Sequence, residues 1–164
     1  MLLLRFGENF TFETEEQARG IEGSRIRTFY QDISDRHNII WGGRKYGEGA
    51  DKINNLITKS NIFLYSLCIS VIHSLQYLTQ LGFLHCGNNL SFVFDFSDIF
   101  KFKFFTPYCF EICNKNNNQE LLENGFKDII KREKIVDKMI DVLNYLFWDK
   151  EINVCEYSIT PKKP

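Results

Sequence analysis

The stretch between Lys59 and Asp95 constrains the fold most, because it contains no Asp, Glu, Lys or Arg. Apolar residues recur from Ile53 to Leu78 at three- and four-residue spacing, the period of a helix that buries one face. The length raises the question of a membrane span, which needs about 20 mainly apolar residues. Polar Ser, His, Gln and Thr side chains interrupt the stretch, however, and no cluster of interfacial anchors flanks it. We therefore predict a buried central helix, or two stacked ones, extending to Gly82, and no membrane association.

Four more helices are indicated by capping and periodicity. Thr14, with Gln three residues further on, forms a capping-box pattern, and apolar residues then continue at helical spacing to about Asn38. Shorter stretches after Pro107 have the same period, at 108–113, 119–131 and 134–148. Together these segments predict an all-α fold, with one helical domain over residues 1–150 and a short tail over 151–164.

Residues 90–105 fit two kinds of secondary structure. Phenylalanines alternate with polar neighbours from residue 100 to 104, as in a strand, whereas Asp95 and Asp98 are spaced to share one face of a helix. The pattern does not decide whether this segment is a strand or a helix. Both aspartates stand between phenylalanines, where an ionised carboxylate is costly unless a cation, hydrogen bonds or a metal compensates it.

Charge and cysteine content exclude several classes of protein. The chain has 20 basic and 21 acidic residues, a net charge of −1, which excludes a uniformly basic nucleic-acid coat and leaves only local basic patches. Its five cysteines include no CxxC pair, which indicates free thiols in a reducing compartment. The opening MLLLRF is too short for a secretory signal. We therefore expect a cytoplasmic protein.

Four polar side chains in three short motifs indicate a functional site. Glu22 stands in GIEGSR, His85 in GFLHCG, and Asp95 and Asp98 in DFSD. Two carboxylates and an imidazole suit a hard divalent cation, because oxygen ligands favour Mg²⁺ and Mn²⁺ and an imidazole increases tolerance of Mn²⁺. Each residue also has a structural alternative. Glu22 is then a solvated surface charge, His85 a turn residue or buried imidazole, and the aspartates the polar face of a helix.

Several motifs together resemble those of one family. GIEGSR at 20–25, WGGRKYG at 41–47, NIFLYS at 61–66 and GFLHCGNNLSFVFDFSDIFKFKF at 82–104 resemble, in order and spacing, the CRISPR-associated spacer-acquisition integrases (the "Cas-one" endonucleases), most closely the type I-E branch. The likeness spans roughly residues 5–145. It implies the family's helical catalytic lobe, with the N-terminal β-rich domain absent from this chain.

The resemblance implies a metal-dependent DNA endonuclease and integrase. Glu22, His85 and Asp98 match the family's ligands for Mg²⁺ or Mn²⁺, Asp95 matches a supporting acid, and Tyr65 matches a tyrosine near the metal. The implied reaction is attack by the 3′-hydroxyl of a captured DNA fragment on a phosphodiester of the CRISPR repeat. Implied partners are double-stranded protospacer and repeat DNA, a second integrase copy, and the small ferredoxin-like companion "Cas-two".

The candidate DNA contacts cluster in and after the loop at residues 41–49 (the basic loop). Residues 19–59 contain eight basic and five acidic side chains, a net charge of +3. Such cations would contact phosphates and position a duplex without reading its bases. The predicted phosphate contacts are Arg44, Lys45, Lys52 and Lys59. The resemblance adds Arg25 of the glutamate motif, Lys101 behind the second aspartate, and Tyr46, which resembles an aromatic residue that helps to place DNA ends.

An alternative function is a truncated or degenerate lobe that binds DNA or a partner protein without catalysis. The complete set of Glu22, His85 and Asp98 argues against this interpretation, because in a protein without catalysis random mutations could replace any of these residues. The absent β-rich domain argues for it. Stabilisation by Mn²⁺ separates the two, because a working site gains stability from its ligand by mass action.

Overall fold

Seven α-helices form the part of the chain that the computed structural model describes, residues 1–148 and 151–159. Their bounds are α1 Leu2–Phe6, α2 Glu15–His37, α3 Lys52–Ser74, α4 Ser91–Phe100, α5 Thr106–Ile112, α6 Asn118–Arg132 and α7 Ile135–Trp148. Shorter turns are the 3₁₀ turns Gly47–Gly49 and Val154–Glu156 and the π-helical turn Lys101–Phe105. These described residues contain no β-strand, so the predicted all-α fold is confirmed.

Helix α3 lies at the centre of the fold. It contacts α4, α5, α6 and α7. Its buried face is mostly apolar and includes Ile53, Leu56, Ile57, Leu64, Cys68, Val71 and Ile72. By length and composition alone this helix is apolar enough to cross a bilayer, which is weak evidence by itself. Burial of one apolar face against neighbouring helices is the packing of a core helix.

Helix α3 ends earlier than the periodicity predicts. The predicted continuation to Gly82 is wrong, because Gln76 adopts a left-handed conformation with φ of 62°. The Tyr77 N–H then donates to the Ile72 carbonyl at 3.0 Å, which closes the last turn. The apolar residues that follow at helical spacing, such as Leu78, lie exposed in a loop.

Helix α2 begins and ends close to the predicted residues. The Thr14 hydroxyl accepts a hydrogen bond from the Gln17 N–H at 3.2 Å, which satisfies one N–H group of the first turn. At the other end, Asn38 adopts a left-handed conformation with φ of 52°. The ring of Trp41 stacks on Tyr30 at 4.5 Å between centroids, so the start of the basic loop is held against α2.

Residues 90–105 are helical rather than strand-like. Helix α4 runs directly into the π-helical turn and then into α5, and nearly every residue of α4 is buried. Asp95 and Asp98 therefore share one helix face. Phe102 and Phe105 of the π-helical turn are buried. Because a π turn is wider than an α turn, its buried positions depart from the α-helical period, and the strand-like alternation falls in this turn.

The three helices predicted after Pro107 are present as α5, α6 and α7. One close approach between α5 and α6 depends on glycine. A Cβ atom at Gly125 would lie 2.1 Å from the ring of Tyr108, and the Tyr108 hydroxyl donates to the Leu121 carbonyl at 2.8 Å. A larger residue at position 125 would therefore separate the two helices.

Residues 151–159 (the C-terminal strap) pack against the first helix. The Ile159 N–H donates to the Arg5 carbonyl at 2.7 Å, and Lys103 Nζ donates to the Cys155 carbonyl at 2.6 Å. Tyr157 is buried, and its ring lies 6.1 Å from that of Phe100. The predicted domain boundary at residue 150 and the predicted end of the tail lie outside the described residues, and that division stays a prediction.

Candidate active site

Helix α4 brings two aspartates to the interior, one helical turn apart. The side chain of Asp95 is fully buried, and that of Asp98 is 9% exposed. The remaining residues of α4 are mostly aromatic or aliphatic. Ionised carboxylates in such surroundings require compensating partners, and each aspartate has a different set of them.

Asp95 is held by the turn that precedes α4. Its Oδ2 accepts backbone hydrogen bonds from Leu84 at 2.8 Å, from His85 at 3.4 Å and from Phe83, while its Oδ1 lies 2.7 Å from His85 Nδ1. Burial alone raises the pKa of Asp95, but the hydrogen bonds from His85 and from the Leu84 and Phe83 N–H groups bring it below its ordinary value. Asp95 is thus an ionised anchor for this turn.

The same contact orients the imidazole of His85. A Nδ1–H donor to Asp95 would leave Nε2 as the acceptor nitrogen, since one hydrogen bond selects the tautomer. The ring lies 5.8 Å from that of Phe94, and the side chain is 43% exposed. His85 is therefore partly open to solvent and fixed on one side, which differs from both the free turn residue and the buried imidazole.

A glycine makes this turn geometrically accessible. A Cβ atom at Gly82 would lie 2.2 Å from the His85 carbonyl oxygen and 2.9 Å from the backbone of Ser91. The Phe92 N–H also donates to the Thr79 carbonyl at 2.9 Å, which ties the start of α4 to the preceding loop. Gly82 thus allows the chain to fold back closely enough for His85 to reach Asp95.

Arg5 of α1 is the cation that completes the site, and the sequence analysis missed it. Its side chain is fully buried, with Nη2 lying 3.2 Å from Asp98 Oδ2 and 3.8 Å from Asp95 Oδ1, and with Nη1 paired with Glu22 Oε1. The available signal was a single arginine within the otherwise apolar MLLLRF. A cation in such a run needs buried anions.

Arg5 joins carboxylates from two different helices. Glu22 of α2 is 16% exposed and pairs with Arg5, so the interpretation of Glu22 as a solvated surface charge is wrong. Asp98 of α4 faces two cations, Arg5 at Oδ2 and Lys101 at Oδ1. We call Arg5, Glu22, His85, Asp95 and Asp98 the acidic site.

The predicted ligands Glu22, His85 and Asp98 are brought to one region but do not form a ready ligand set. Within residues 1–148 and 151–159, no three His, Cys, Asp or Glu side chains group closely enough to hold a metal ion. Arg5 stands between Glu22 and Asp98, and His85 contacts Asp95. The charge of the carboxylates is balanced by arginine and lysine.

Tyr65 of α3 lies beside this region. Its ring is 5.3 Å from that of Phe94, on the helix that carries both aspartates. Burial, and secondly the charge of Asp98, raise the pKa of Tyr65 above its ordinary value. The hydroxyl is therefore protonated at neutral pH and available as a hydrogen-bond donor.

Comparison with known proteins places the chain in a family. The family described as CRISPR associated protein Cas1 matches residues 7–131, a range that includes Glu22, His85, Asp95 and Asp98. The chain belongs to the Cas1 family. Arg5 lies just outside the matched range.

Relatives of the Cas1 family confirm the fold over most of this chain. The CRISPR-associated endonuclease Cas1 of Clostridium sp. (strain SY8519) is 37% identical over 85% of this chain and 46% of its own length. That of Escherichia coli (strain K12) is 36% identical over 87% of this chain and 49% of its own length. The solved TtCas1–DNA complex has a TM-score of 0.77 at 30% identity, covering 88% of this chain and 57% of that one. The chain therefore spans about half the length of the curated Cas1 relatives.

Several of the predicted DNA contacts of this Cas1 chain already have internal partners, among them Arg44 and Lys59. Arg44 Nη1 donates to Asn54 Oδ1 at 2.6 Å and to the Asn54 carbonyl at 3.1 Å, and Arg44 Nη2 donates to Thr58 Oγ1 at 3.1 Å. These bonds fasten the basic loop to α3. Lys59 Nζ donates to Gln119 Oε1 at 2.8 Å, although this lysine is exposed. Arg44 thus holds the loop in place, and its contact with DNA stays a prediction.

The remaining candidates differ in exposure. Lys45 and Tyr46 lie exposed in the basic loop, and the Arg44 guanidinium lies 4.6 Å from the Tyr46 ring. Arg25 pairs with Glu8 at 2.6 Å. Lys101 is only 12% exposed and pairs with Asp98, so it belongs with the acidic site more than with the surface. Lys52 is exposed at the first residue of α3.

Proposed function

We propose that this chain is the helical catalytic part of a Cas1 integrase and endonuclease, closest to the type I-E branch, that inserts captured DNA fragments as spacers into a CRISPR array. The observation that carries the proposal is the meeting of Glu22, His85, Asp95 and Asp98 in one region from α2, the loop before α4, and α4 itself. Cas1 relatives named as endonucleases match 85% and 87% of this chain, and the Cas1 family matches residues 7–131. The proposed activity belongs to the assembled protein, of which this chain spans about half.

Glu22, Asp98 and His85 are the residues that would hold Mg²⁺ or Mn²⁺. The donor chemistry fits, because Glu22 and Asp98 offer hard carboxylate oxygens that already share one cationic group, Arg5. Asp95 would act through His85 by fixing its ring. When bound, such an ion activates a hydroxyl group and neutralises charge that develops on the attacked phosphate.

The proposed reaction needs no protein nucleophile. In integration, the 3′-hydroxyl oxygen of the captured fragment forms a bond to a repeat phosphorus while one P–O bond of the repeat strand breaks and releases its own 3′-hydroxyl. In cleavage, water replaces the attacking hydroxyl. Tyr65, protonated beside α4, would donate a hydrogen bond to the phosphate, and Lys101 would add positive charge behind Asp98.

The proposed partners follow from surface charge and from relatives. Lys45, Tyr46, Lys52 and Lys59 lie exposed along the basic loop and the start of α3, where they would contact the duplex backbone together with Arg25. A Cas1 relative has been solved bound to DNA. A second copy, the companion "Cas-two" and a cytoplasmic, prokaryotic location complete the proposal.

The test is Mn²⁺-dependent cleavage and joining of double-stranded DNA by Asp98→Asn. The purified chain is assayed alone and with its companion protein, beside Asp128→Asn, which alters an exposed aspartate on α6. Asp98→Asn should lose cleavage and joining because it removes one of the proposed metal-binding carboxylates, whereas Asp128→Asn should retain both. Full activity of Asp98→Asn would refute the assignment.

A non-catalytic binding module is the second candidate. It is favoured by one observation: Arg5 and Lys101 balance the charge of Glu22 and Asp98 without any metal. For such a module, Mn²⁺ should leave the melting temperature unchanged, and Asp98→Asn should retain the DNA affinity of the unmodified chain. A saturable stabilisation by Mn²⁺ that Asp98→Asn abolishes would exclude this candidate.

A further inference from the structure

We propose that Arg5 is a positioning residue that holds the carboxylates of the acidic site together in the absence of metal, and that a divalent cation must displace its guanidinium to bind. The inference rests on the proposed function, because it requires metal to bind at Glu22 and Asp98. It concerns a residue outside the range that matches the Cas1 family.

Arg5 has an electrostatic role in the acidic site. Its guanidinium is fully buried and meets Glu22 and Asp98, and also the side chain and carbonyl of Asp95. Three buried or nearly buried carboxylates within one region repel one another strongly in a low-dielectric interior. A single cation shared among them removes that repulsion. Arg5 thus keeps α2 and α4 together at the point where their acidic side chains face each other.

The guanidinium of Arg5 does not use all of its hydrogen-bond donors. Its Nε is buried and has no hydrogen-bond partner among the described residues, although a guanidinium carries five N–H donors. A buried network with an unmet donor is held less firmly than one that is fully bonded. The unpaired Nε donor therefore lowers the free energy needed for a divalent cation to displace the Arg5 guanidinium.

Arg5 contacts oxygens of the two carboxylates that would hold a metal. Glu22 Oε1 and Asp98 Oδ2 are the atoms that face the guanidinium. A divalent cation at these oxygens would lie within contact distance of the guanidinium, and the two positive groups would repel. Binding of one therefore excludes the other, and the apparent metal affinity is lowered by the free energy of the arginine contacts.

The backbone of Arg5 is held by contacts other than those of its guanidinium. Helix α1 has only five residues and ends at Gly7, whose φ is 70°. Its backbone is held by the C-terminal strap through the hydrogen bond from the Ile159 N–H to the Arg5 carbonyl at 2.7 Å. The strap therefore anchors the Arg5 backbone whether or not the guanidinium keeps its contacts.

The test measures Mn²⁺ affinity of the full chain by isothermal titration calorimetry. Arg5→Met keeps an unbranched chain but removes the charge, Arg5→Lys keeps the charge, and Arg132→Met removes an exposed cation as control. Because Mn²⁺ would no longer have to break the charged hydrogen bonds of Arg5 to Glu22 and Asp98, Arg5→Met should bind Mn²⁺ at least about tenfold more tightly. Arg5→Lys and Arg132→Met should stay near the unmodified chain. Unchanged or weaker binding by folded Arg5→Met would overturn the inference.

A second measurement uses the unmodified chain and does not depend on the folding of Arg5→Met. Nitrogen-15 spectra of the arginine guanidinium groups are recorded with increasing Mg²⁺, and the Arg5 signals are assigned by their loss in Arg5→Lys. Displacement should shift these signals and average the separate Nη resonances that ion pairs keep apart. Arg5 signals that stay unchanged while Mg²⁺ saturates the thermal shift would overturn displacement.

The two proposals fail in different ways. If neither the unmodified chain nor Arg5→Met binds Mn²⁺, the proposed metal-dependent function fails, and the displacement inference fails with it. If both bind and Asp98→Asn does not, the metal site stands. The ratio of the two affinities then decides the role of Arg5 alone.

Discussion

The acidic site and the basic loop both collect charged side chains, but the structure uses these charges differently. In the acidic site, Arg5 and Asp95 are fully buried, and their partners come from other parts of the chain. In the basic loop, Lys45 and Tyr46 are exposed, and Arg44 bonds locally to Asn54. Charge in the acidic site is therefore part of the core, whereas charge in the loop is mostly open to a ligand.

This difference shows why residue type alone is a poor guide to a role. Arg44 and Arg5 are both arginines. Only their burial and their partners show that Arg44 holds a loop in place whereas Arg5 is the centre of a buried charge network. Conversely, Lys101 lies beside Asp98 with little exposure, although the family resemblance suggested a DNA contact. The same comparison predicts how substitutions in the two regions should differ.

The largest loss of stability is expected when a buried aspartate is replaced. Asp95→Ala removes the acceptor of three backbone N–H groups and of His85, and breaking such a buried network should lower the free energy of unfolding by about 3–5 kcal/mol. Beside the basic loop, Asp51 accepts from the Asn54 N–H at 2.9 Å as the N-cap of α3, so Asp51→Ala should cost about 1 kcal/mol. Urea unfolding measures both. Equal costs would contradict the contrast between the regions.

Prediction from the sequence succeeded for helices with one buried face and one solvated face, because such helices have a clear apolar period. Helix α2 and the C-terminal helices have that pattern, and their bounds were close to the observed ones. Helix α4 is buried almost all round, so periodicity did not separate helix from strand. The end of α3 was missed because a left-handed glutamine, Gln76, stops it, and glutamine carries no common signal for that conformation.

The candidate site was predictable only in part. Glu22, His85, Asp95 and Asp98 were identified from motifs, and the structure gathers them in one region. Which of them touch was not predictable, because the contacts depend on how α1 and α2 pack beside α4. Arg5 lies in an apolar segment with no motif around it, so its role is visible only in the folded structure.

A smaller effect is expected from the glycines of the two regions. Gly82→Ala would place a Cβ atom 2.2 Å from the His85 carbonyl oxygen, and since backbone atoms yield little, overpacking should cost about 1–3 kcal/mol. Gly49 of the basic loop has open space around its Cβ position, and Gly49→Ala should stay within about 0.5 kcal/mol of the unmodified chain. Chemical denaturation of both variants provides the measurement. A tolerated Gly82→Ala would show that the turn before α4 is less tightly fixed than its contacts indicate.

The smallest stability effects, and the sharpest separation of roles, are expected within the basic loop itself. Arg44→Ala removes hydrogen bonds to Asn54 and Thr58 and should lower the free energy of unfolding by about 1 kcal/mol, whereas Lys45→Ala should leave it nearly unchanged because that side chain is exposed. For DNA binding we expect the reverse: Lys45→Ala should have the larger effect and Arg44→Ala the smaller one. If Lys45 contacts one phosphate, its removal should reduce the slope of log affinity against log salt by about 0.9, and Arg44→Ala should retain the slope under conditions where it stays folded. Measuring duplex affinity at several salt concentrations separates the two residues. A slope that falls for Arg44→Ala and not for Lys45→Ala would mean that the internal bonds of Arg44 open when DNA binds.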